Sequence, residues 1–163
     1  MLLFQYLILS GNLNYKSQNN SSIETRSYIR KNMRDIKPVK SKFLVHDLAL
    51  KEISLEGQYF MEFGVFRGGS INYLAQKINS RIYGFDSFEG LPEDWRDGFK
   101  KGKFNLSKKL PKVRKNVILF PGKFSKAIPQ FINNQKSKDF AISYLHIDCD
   151  LYNSTKVIFS LLS

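Results

Sequence analysis

The sequence predicts an α/β fold in which helices cover both faces of a parallel, doubly wound sheet. Short apolar runs alternate along the chain with segments that have helical spacing, which is typical of such sheets. The apolar runs are continuous, as expected for strands that are buried on both faces. With 163 residues, of which 42% are hydrophobic, the chain is long enough for one domain with a buried core.

Four strands and five helices follow from this pattern. The predicted strands cover residues 59–65, 81–85, 116–120 and 142–147. The predicted helices cover residues 24–36, 42–53, 70–78, 125–135 and the stretch from Ser154 to the chain end. Residues 89–110 are predicted to be mostly loop because glycine and proline recur there. We therefore assign residues 1–40 to an N-terminal extension and residues 41–163 to a partial α/β domain.

The positive charge of the chain is concentrated in one segment. The formal net charge is +12, yet the stretch between Asp97 and Asp139 contains twelve lysine and arginine residues and no acid. This pattern is consistent with a solvated loop, and it is also consistent with a surface that binds nucleic acid or an acidic substrate. Because no nucleic-acid-binding motif accompanies it, we do not expect a nucleic-acid partner.

The cysteine content and the N-terminal segment indicate the cellular compartment of the protein. Cys149 is the sole cysteine, which excludes a disulfide framework and a cysteine-based zinc site. The first ten residues are apolar but too few for a bilayer span, and they lack the basic region and cleavage site of a signal peptide. We therefore expect a cytoplasmic protein without a membrane partner, and the sequence leaves a homo-oligomer open.

A glycine turn follows the first predicted strand. Gly64 and Gly68 are separated by three residues, which matches neither a dinucleotide fingerprint nor a phosphate-binding P-loop. Glu62 precedes the turn and would repel phosphate, but it could accept a hydrogen bond from an ammonium or a hydroxyl group. An acid followed by glycines at this spacing is typical of S-adenosylmethionine sites. The alternative is a tight turn that binds no ligand.

An acid ends the second predicted strand. Asp86 lies about 20 residues beyond the glycine turn, where a carboxylate commonly holds the hydroxyls of a nucleotide ribose. The alternative is a surface aspartate that caps the next turn. Taken together, the glycine turn and Asp86 favour a ligand that contains adenosine.

A third motif, His146-Ile147-Asp148-Cys149-Asp150, stands at the carboxyl end of the fourth strand. In an extended chain, alternation places His146, Asp148 and Asp150 on one side, with the two aspartate Cα atoms roughly 6.5–7 Å apart. This favours one carboxylate that ligates a hard cation such as Mg²⁺ and one that takes a proton. The alternative is a solvated loop start. We expect His146 to be a hydrogen-bonded strand residue and Cys149 to be a small buried residue.

The three motifs FMEFGVFRGGS, IYGFDSFEGLPE and LHIDCDLYNST resemble those of the macrocin O-methyltransferase (TylF-like) family. Its members are class I S-adenosylmethionine-dependent methyltransferases with a Rossmann-like fold, and the resemblance runs from Gly57 to the chain end. It implies that the methionine end of the cofactor is lined by Glu62, Gly64, Gly68 and Ser70. It implies that Asp86 holds the ribose, that Gly122 and Phe124 lie by the adenine, that Asp148 ligates Mg²⁺ and that Asp150 is the general base.

The resemblance implies a Mg²⁺-assisted O-methyltransferase that acts on the hydroxyl of a sugar, a phenol or another small molecule. The sheet of this family continues beyond the last helix predicted here, and a later strand supplies two further carboxylates. No acid follows Asp150 in this sequence. We therefore interpret the chain as a truncated gene product or fragment with the first four strands. A catalytically inactive remnant and, below it, a basic nucleic-acid-binding module stay open as alternatives.

Overall fold

The computed structural model describes residues 20–36, 38–53, 59–135 and 141–163, which form two compact units. The first unit, Met1–Lys51, contains helices α1 (Asn20–Asn32) and α2 (Lys42–Lys51). On α2, Val45 and His46 are buried. The apolar first ten residues of the chain lie outside the described ranges. None of the described helices combines the length and the hydropathy that a membrane crossing requires.

The second unit, Glu52–Ser163, has a sheet of four parallel strands. Its strands are β1 (Tyr59–Phe63), β2 (Ile82–Asp86), β3 (Val117–Pro121) and β4 (Ile142–Ile147). Its helices are α3 (Gly69–Lys77), α4 (Phe124–Asn133) and α5 (Tyr152–Leu162). The spatial order is β3-β2-β1-β4, so β1 lies at the centre beside β2 and β4. The predicted α/β fold with a parallel sheet is confirmed.

The side chains of β1 explain why helices cover both faces of the sheet. Met61 and Phe63 point to one face, where they pack in the apolar cluster that contains Ile128 of α4 and Ile158 of α5. Glu62 points to the opposite face, where it meets Ser70 of α3. Four of the five residues of β1 are buried, which agrees with a strand enclosed on both faces.

Most element ends differ from the predicted ends by one or two residues, and two differences have clear causes. Strand β1 ends at Phe63 instead of residue 65, because Gly64 adopts a left-handed φ of 92° that stops the extended chain. The alternation predicted for His146, Asp148 and Asp150 is wrong beyond Ile147. Strand β4 ends there, and Asp150 has a φ of 61°, so the separation expected for an extended chain does not apply.

Candidate functional site

The carboxyl ends of β1 and β4 are in direct contact. The amide of Asp148 donates to the carbonyl of Phe63 at 2.8 Å, and the amide of Gly64 donates to the carbonyl of Phe85 at 2.9 Å. A Cβ at Gly64 would overlap the carbonyl of Asp148, so glycine is needed for this close approach. The glycine turn and the first aspartate of the third motif therefore meet at one edge of the sheet.

Glu62 connects three elements of the second unit. Its side chain is fully buried, and its Oε1 accepts a hydrogen bond from the Ser70 hydroxyl at 3.0 Å. Its Oε2 lies 3.0 Å from Nδ1 of His146. Glu62 thus connects β1 to the start of α3 through Ser70 and to the end of β4 through His146. His146 is a hydrogen-bonded strand residue, as the sequence predicts.

The first turn of α3 offers backbone donors at the same edge. Gly68 is the N-cap residue with a left-handed φ of 80°, and within the described residues no side chain caps this helix. The N–H groups that begin a helix carry partial positive charge and attract carboxylates and phosphates. The start of α3 can therefore bind an anionic group of a ligand.

Asp86 has a structural task in this structure. Its Oδ2 accepts hydrogen bonds from the amides of Val65 and Phe66 at 2.9 Å and 2.7 Å. Its Oδ1 accepts from the amide of Phe88 at 2.8 Å, which is the turn-capping arrangement considered as the alternative. Asp86 therefore fixes the glycine turn to the end of β2. A carboxylate has about four acceptor positions, so one remains for a ligand hydroxyl.

Gly122 and Phe124 have different surroundings. Gly122 has a φ of 135°, and among the described residues no atom lies within 4 Å of the position that its Cβ would take. Space for a ligand is therefore present beside Gly122 at the end of β3. Phe124 begins α4, and its ring packs edge-on against Phe63 at a centroid distance of 5.5 Å. Phe124 is half-buried, so part of its ring contributes to the apolar core.

The residues after β4 form an acid tip, Asp148 to Asp150, in which both aspartates are exposed residues, although neighbouring atoms partly desolvate the Asp150 carboxyl group. Partial burial and the neighbouring Asp148 carboxylate raise the pKa of Asp150, while Arg96 opposes this increase. Cys149 between them is half-buried, and its Sγ lies 3.4 Å from the hydroxyl of Thr155. Burial raises the pKa of the Cys149 thiol, which agrees with an unreactive, small packed side chain.

The acid tip fits a hard cation only in part. Carboxylate oxygens are the donors that Mg²⁺ prefers, and Mg²⁺ commonly binds through one or two carboxylates while it keeps several waters. Across residues 20–36, 38–53, 59–135 and 141–163, no group of three or more histidine, cysteine or acidic side chains could hold a metal. Asp148 and Asp150 are thus a donor pair of the right chemistry that falls short of a complete shell.

A hairpin at residues 93–101 also reaches the acid tip. Its Glu93 accepts a hydrogen bond at 3.1 Å from Asn153, in the first turn of α5. Its Arg96 lies close enough to Asp150 to lower the pKa of that carboxyl group. The sequence contains the signals of a turn here, but only the folded chain brings Arg96 to an acid more than fifty residues away. This was the site residue that the motifs missed.

A groove along α3 lies away from these residues. It has a volume of about 660 Å³ and runs between the outer face of α3, at Asn72 and Gln76, and the basic residues Lys112, Arg114 and Lys115. None of the residues proposed for the cofactor or the acid tip lines it. This groove is therefore separate from the residues predicted for the cofactor and the acid tip.

Comparisons with known proteins identify solved structures of similar fold. No protein-family model and no curated protein matches the sequence. CalS11, a calicheamicin methyltransferase, matches with a TM-score of 0.60 and 20% identity over 88% of this chain and 67% of its own. The apo form of CalS11, described as a TDP-rhamnose 3'-O-methyltransferase of calicheamicin biosynthesis, matches with a TM-score of 0.52 and 18% identity over 88% and 66%. The O-methyltransferase NovP aligns with 72% of this chain and 55% of its own at 20% identity and a TM-score of 0.48.

The second unit thus has a Rossmann-like fold, which it shares with CalS11. The likeness to CalS11 includes the all-parallel sheet, and the chain spans about two thirds of the length of CalS11. A shared fold does not by itself determine a reaction, so the activity has to be argued from the residues of the site.

Proposed function

We propose that this chain is an S-adenosylmethionine-dependent O-methyltransferase that acts on the hydroxyl group of a small molecule, such as a sugar. The observation that carries the proposal is the contact between the glycine turn and the acid tip, where the amide of Asp148 donates to Phe63. This contact brings a candidate cofactor site and a candidate base to one sheet edge. The fold shared with CalS11 supports the same conclusion.

In this proposal the turn after β1 binds the cofactor. The start of α3, with Gly68 and Ser70, receives the methionine carboxylate, and Gly64 lets β1 and β4 close around it. The buried negative charge of Glu62 favours the ammonium group nearby, and its hydrogen bond orients Ser70. Asp86 uses its remaining acceptor position for the ribose hydroxyls.

The adenine lies in the space beside Gly122, with the exposed part of the Phe124 ring as one wall. This assignment relies on the open surroundings of Gly122 and on the position of both residues at the end of β3 and the start of α4. An apolar ring beside a flat, weakly polar base is a favourable contact.

The proposed reaction needs a base near the methyl group. Bound S-adenosylmethionine supplies an activated methyl group on a sulfonium. As the acceptor oxygen took that methyl group and the sulfonium left as a neutral thioether, the hydroxyl proton would pass to the carboxylate of Asp150. The raised pKa of Asp150 makes it a stronger base than an ordinary carboxylate. Holding the two reactants side by side supplies much of the remaining acceleration.

Mg²⁺ at Asp148 belongs to the same proposal. A hard cation there would lower the pKa of an acceptor hydroxyl, and it would offset the Asp148 repulsion, so that burial would be the remaining cause of the raised pKa of Asp150. We also propose that the protein is located in the cytoplasm, as expected from the sequence.

Calorimetric titration with S-adenosylhomocysteine tests the cofactor half of the proposal. We expect one saturable site on the wild-type chain. Asp86→Asn should weaken binding about tenfold or more, since a hydrogen bond to a charged group contributes about 1.5–3 kcal/mol. The matched variant Asp35→Asn, at an exposed position of the first unit, should bind as the wild type does. Absence of saturable heat with the folded wild-type chain would overturn the proposal.

Methylthioadenosine separates the two ends of the cofactor site, because it keeps the ribose and adenine and lacks the amino-acid group. Asp86→Asn should weaken both ligands, whereas Glu62→Gln should weaken S-adenosylhomocysteine alone. If S-adenosylhomocysteine binds but no hydroxyl acceptor is methylated, the chain is an inactive remnant that keeps the cofactor site.

A further inference from the structure

The groove along α3, named the basic groove below, is lined by cations and side-chain amides. Its three cationic residues, Lys112, Arg114 and Lys115, are exposed. The other lining residues are four amides and two small apolar side chains: Asn72, Gln76, Asn79, Asn116, Ala75 and Val113. Among the described residues, none that lines the groove is an acid. The basic groove is therefore a concave surface with an excess of positive charge.

Both walls of the basic groove come from stretches of the sequence that lack acids. The wall at residues 112–116 belongs to the stretch between Asp97 and Asp139, which contains twelve bases and no acid. The wall on α3 belongs to the stretch between Glu62 and Asp86, which contains three bases and no acid. Within the part of the chain that the structure describes, the three cations of the groove take part in no ion pair. Their charges are therefore available to a ligand.

Side-chain amides hold the cationic wall in place. Asn72 donates from Nδ2 to the carbonyl of Lys112 at 2.9 Å, and its Oδ1 accepts from the amide of Arg114 at 2.9 Å. Asn116 donates from Nδ2 to the carbonyl of Ile78 at 2.8 Å, just beyond the end of α3. Because these bonds fix the backbone of the wall along α3, a ligand that binds there does not have to order it.

The charge of the basic groove matches two phosphate groups. A phosphate monoester carries about −1.5 to −2 charges at pH 7, so two of them balance three cations. A ligand with a single phosphate or carboxylate would leave part of this positive charge uncompensated. Arginine binds phosphate oxygens through its planar fork, and lysine binds them as a point charge. The cationic wall thus favours a ligand with two phosphates.

The amides of the basic groove favour a ligand that also carries hydroxyl groups. Gln76 and Asn79 are exposed, and their side chains have no hydrogen-bond partner among the described residues. An amide can both donate to and accept from a hydroxyl. The described lining contains no aromatic ring on which a nucleobase could stack. Its volume of about 660 Å³ is typical of a small-molecule site. A phosphorylated polyol therefore fits better than a nucleotide or a nucleic acid.

We propose that the basic groove binds a small polyol that carries two phosphate groups, such as a sugar bisphosphate. Lys112, Arg114 and Lys115 bind the phosphates, and Gln76 and Asn79 bind the hydroxyls. None of the residues assigned to the cofactor or the acid tip lines this groove. The inference therefore adds a second binding site and does not depend on the proposed methyltransferase function.

Calorimetric titration at about 0.15 M salt, near the physiological ionic strength, tests the inference with ligands that differ in charge. Fructose 1,6-bisphosphate should bind at one saturable site. Glucose 6-phosphate, which has one phosphate, should bind about tenfold more weakly, since it loses at least one hydrogen bond between charged groups. Equal affinity for both sugars, or no binding of fructose 1,6-bisphosphate to the folded wild-type chain, would overturn the inference. Polyuridylate that competes with the bisphosphate and binds more tightly would also overturn it, in favour of nucleic acid.

Two matched variants separate a specific site from the general positive charge of the chain. Arg114→Gln should weaken binding of fructose 1,6-bisphosphate about tenfold or more. Lys101→Gln removes a charge from the same acid-free stretch at an exposed position outside the groove, and it should change the affinity less than about twofold. Equal weakening by the two variants would mean that the groove is not a specific site.

A second pair of variants adds charge instead of removing it. Gln76→Glu places a carboxylate in the groove at an exposed position of α3, where glutamate is as good a helix former as glutamine. It should weaken the bisphosphate about tenfold. Gln130→Glu makes the same change at an exposed position of α4 outside the groove and should leave the affinity unchanged. This pair repeats the test should Arg114→Gln not fold, and equal effects would overturn the inference.

Competition with S-adenosylhomocysteine separates the basic groove from the sheet edge, where the start of α3 can also attract phosphate. Fructose 1,6-bisphosphate should bind equally well with and without saturating S-adenosylhomocysteine. Displacement would overturn the inference, because the bisphosphate would then lie at the sheet edge. If S-adenosylhomocysteine binds and the bisphosphate does not, only the methyltransferase proposal stands. If the bisphosphate binds through Arg114 and S-adenosylhomocysteine does not bind, only the present inference stands.

Discussion

The turn after β1 and the acid tip after β4 lie side by side, yet their surroundings are opposite. Glu62 is fully buried, and its two oxygens contact Ser70 and His146. Asp148 and Asp150 are exposed, and repulsion between them contributes to the raised pKa of Asp150. The start of the turn is thus fixed by buried hydrogen bonds within the protein. A cation bound at the acid tip would instead reduce the repulsion between its two carboxylates.

This difference indicates how the proposed site divides its tasks. A turn fixed by buried hydrogen bonds can bind a cofactor at little cost in conformational entropy. An exposed carboxylate with a raised pKa can accept a proton from a substrate that enters from solvent. The substitutions that follow change one region at a time, and each should affect a different property.

The largest effect is expected where the two regions touch. Gly64→Ala places a Cβ on the carbonyl of Asp148 at a left-handed φ of 92°. We expect a loss of about 3 kcal/mol or more in the free energy of unfolding, from strain and overpacking together. Urea denaturation measures this loss. Gly69→Ala is the control, because nothing described lies within 4 Å of its Cβ. Similar midpoints for the two variants would show that the contact is loose.

A large effect confined to activity is expected at the acid tip. Asp150→Asn should reduce methyl transfer about 100-fold, the lower range for loss of a general base. The affinity for S-adenosylhomocysteine should stay within about twofold, because Asp150 belongs to the reacting half of the site. Single-turnover rates and calorimetry give the two numbers. A parallel loss of rate and affinity would mean that Asp150 is structural.

A smaller effect, on stability, is expected at Glu62, on β1 just before the turn. Glu62→Ala leaves the buried Ser70 hydroxyl without its acceptor and removes the partner of His146 Nδ1. We expect a loss of about 2 kcal/mol, the usual cost of orphaned buried polar groups. Glu89→Ala breaks the exposed pair with Lys108 instead and should cost less than about 0.5 kcal/mol. Equal losses would contradict the contrast between a buried and an exposed carboxylate.

The smallest effect is a pH-dependent one at Asp150. Because its folded-state pKa is raised, ionisation of Asp150 reduces stability as the pH rises from about 3.9 through the folded-state pKa. Asp150→Asn removes that reduction and should raise the melting temperature at pH 7 by up to about 2 °C. The increase should vanish below about pH 4. An increase of equal size at both pH values would mean that asparagine stabilises the left-handed backbone at position 150, and that the charge of Asp150 is not the cause.

The sequence predicts the sheet and its helices well, because short apolar runs such as 117–120 alternate with segments that have helical spacing. The parallel sheet that the sequence predicts also places Glu62 and Asp148 at one edge of the sheet, because the carboxyl ends of parallel strands share that edge. The left-handed turn at Asp150 could not be predicted, because aspartate adopts a positive φ at only a small fraction of its positions. The contact of Glu62 with His146 requires the register between β1 and β4.

Arg96 shows a further limit of sequence reasoning. Its stacking on Trp95 is local and could be anticipated, but its approach to Asp150 depends on the bond between Glu93 and Asn153. Asp86 illustrates the opposite case. Its place at the end of β2 was predictable, whereas its three backbone hydrogen bonds appear only in the folded turn.

Hydrogen–deuterium exchange with and without S-adenosylhomocysteine tests most directly whether the two regions form one site. We expect slower exchange in peptides that cover residues 62–71, 86–88 and 148–152, and unchanged exchange at residues 112–116 in the basic groove. Protection confined to the groove, or no protection at saturating ligand, would contradict a cofactor site at the edge shared by β1 and β4.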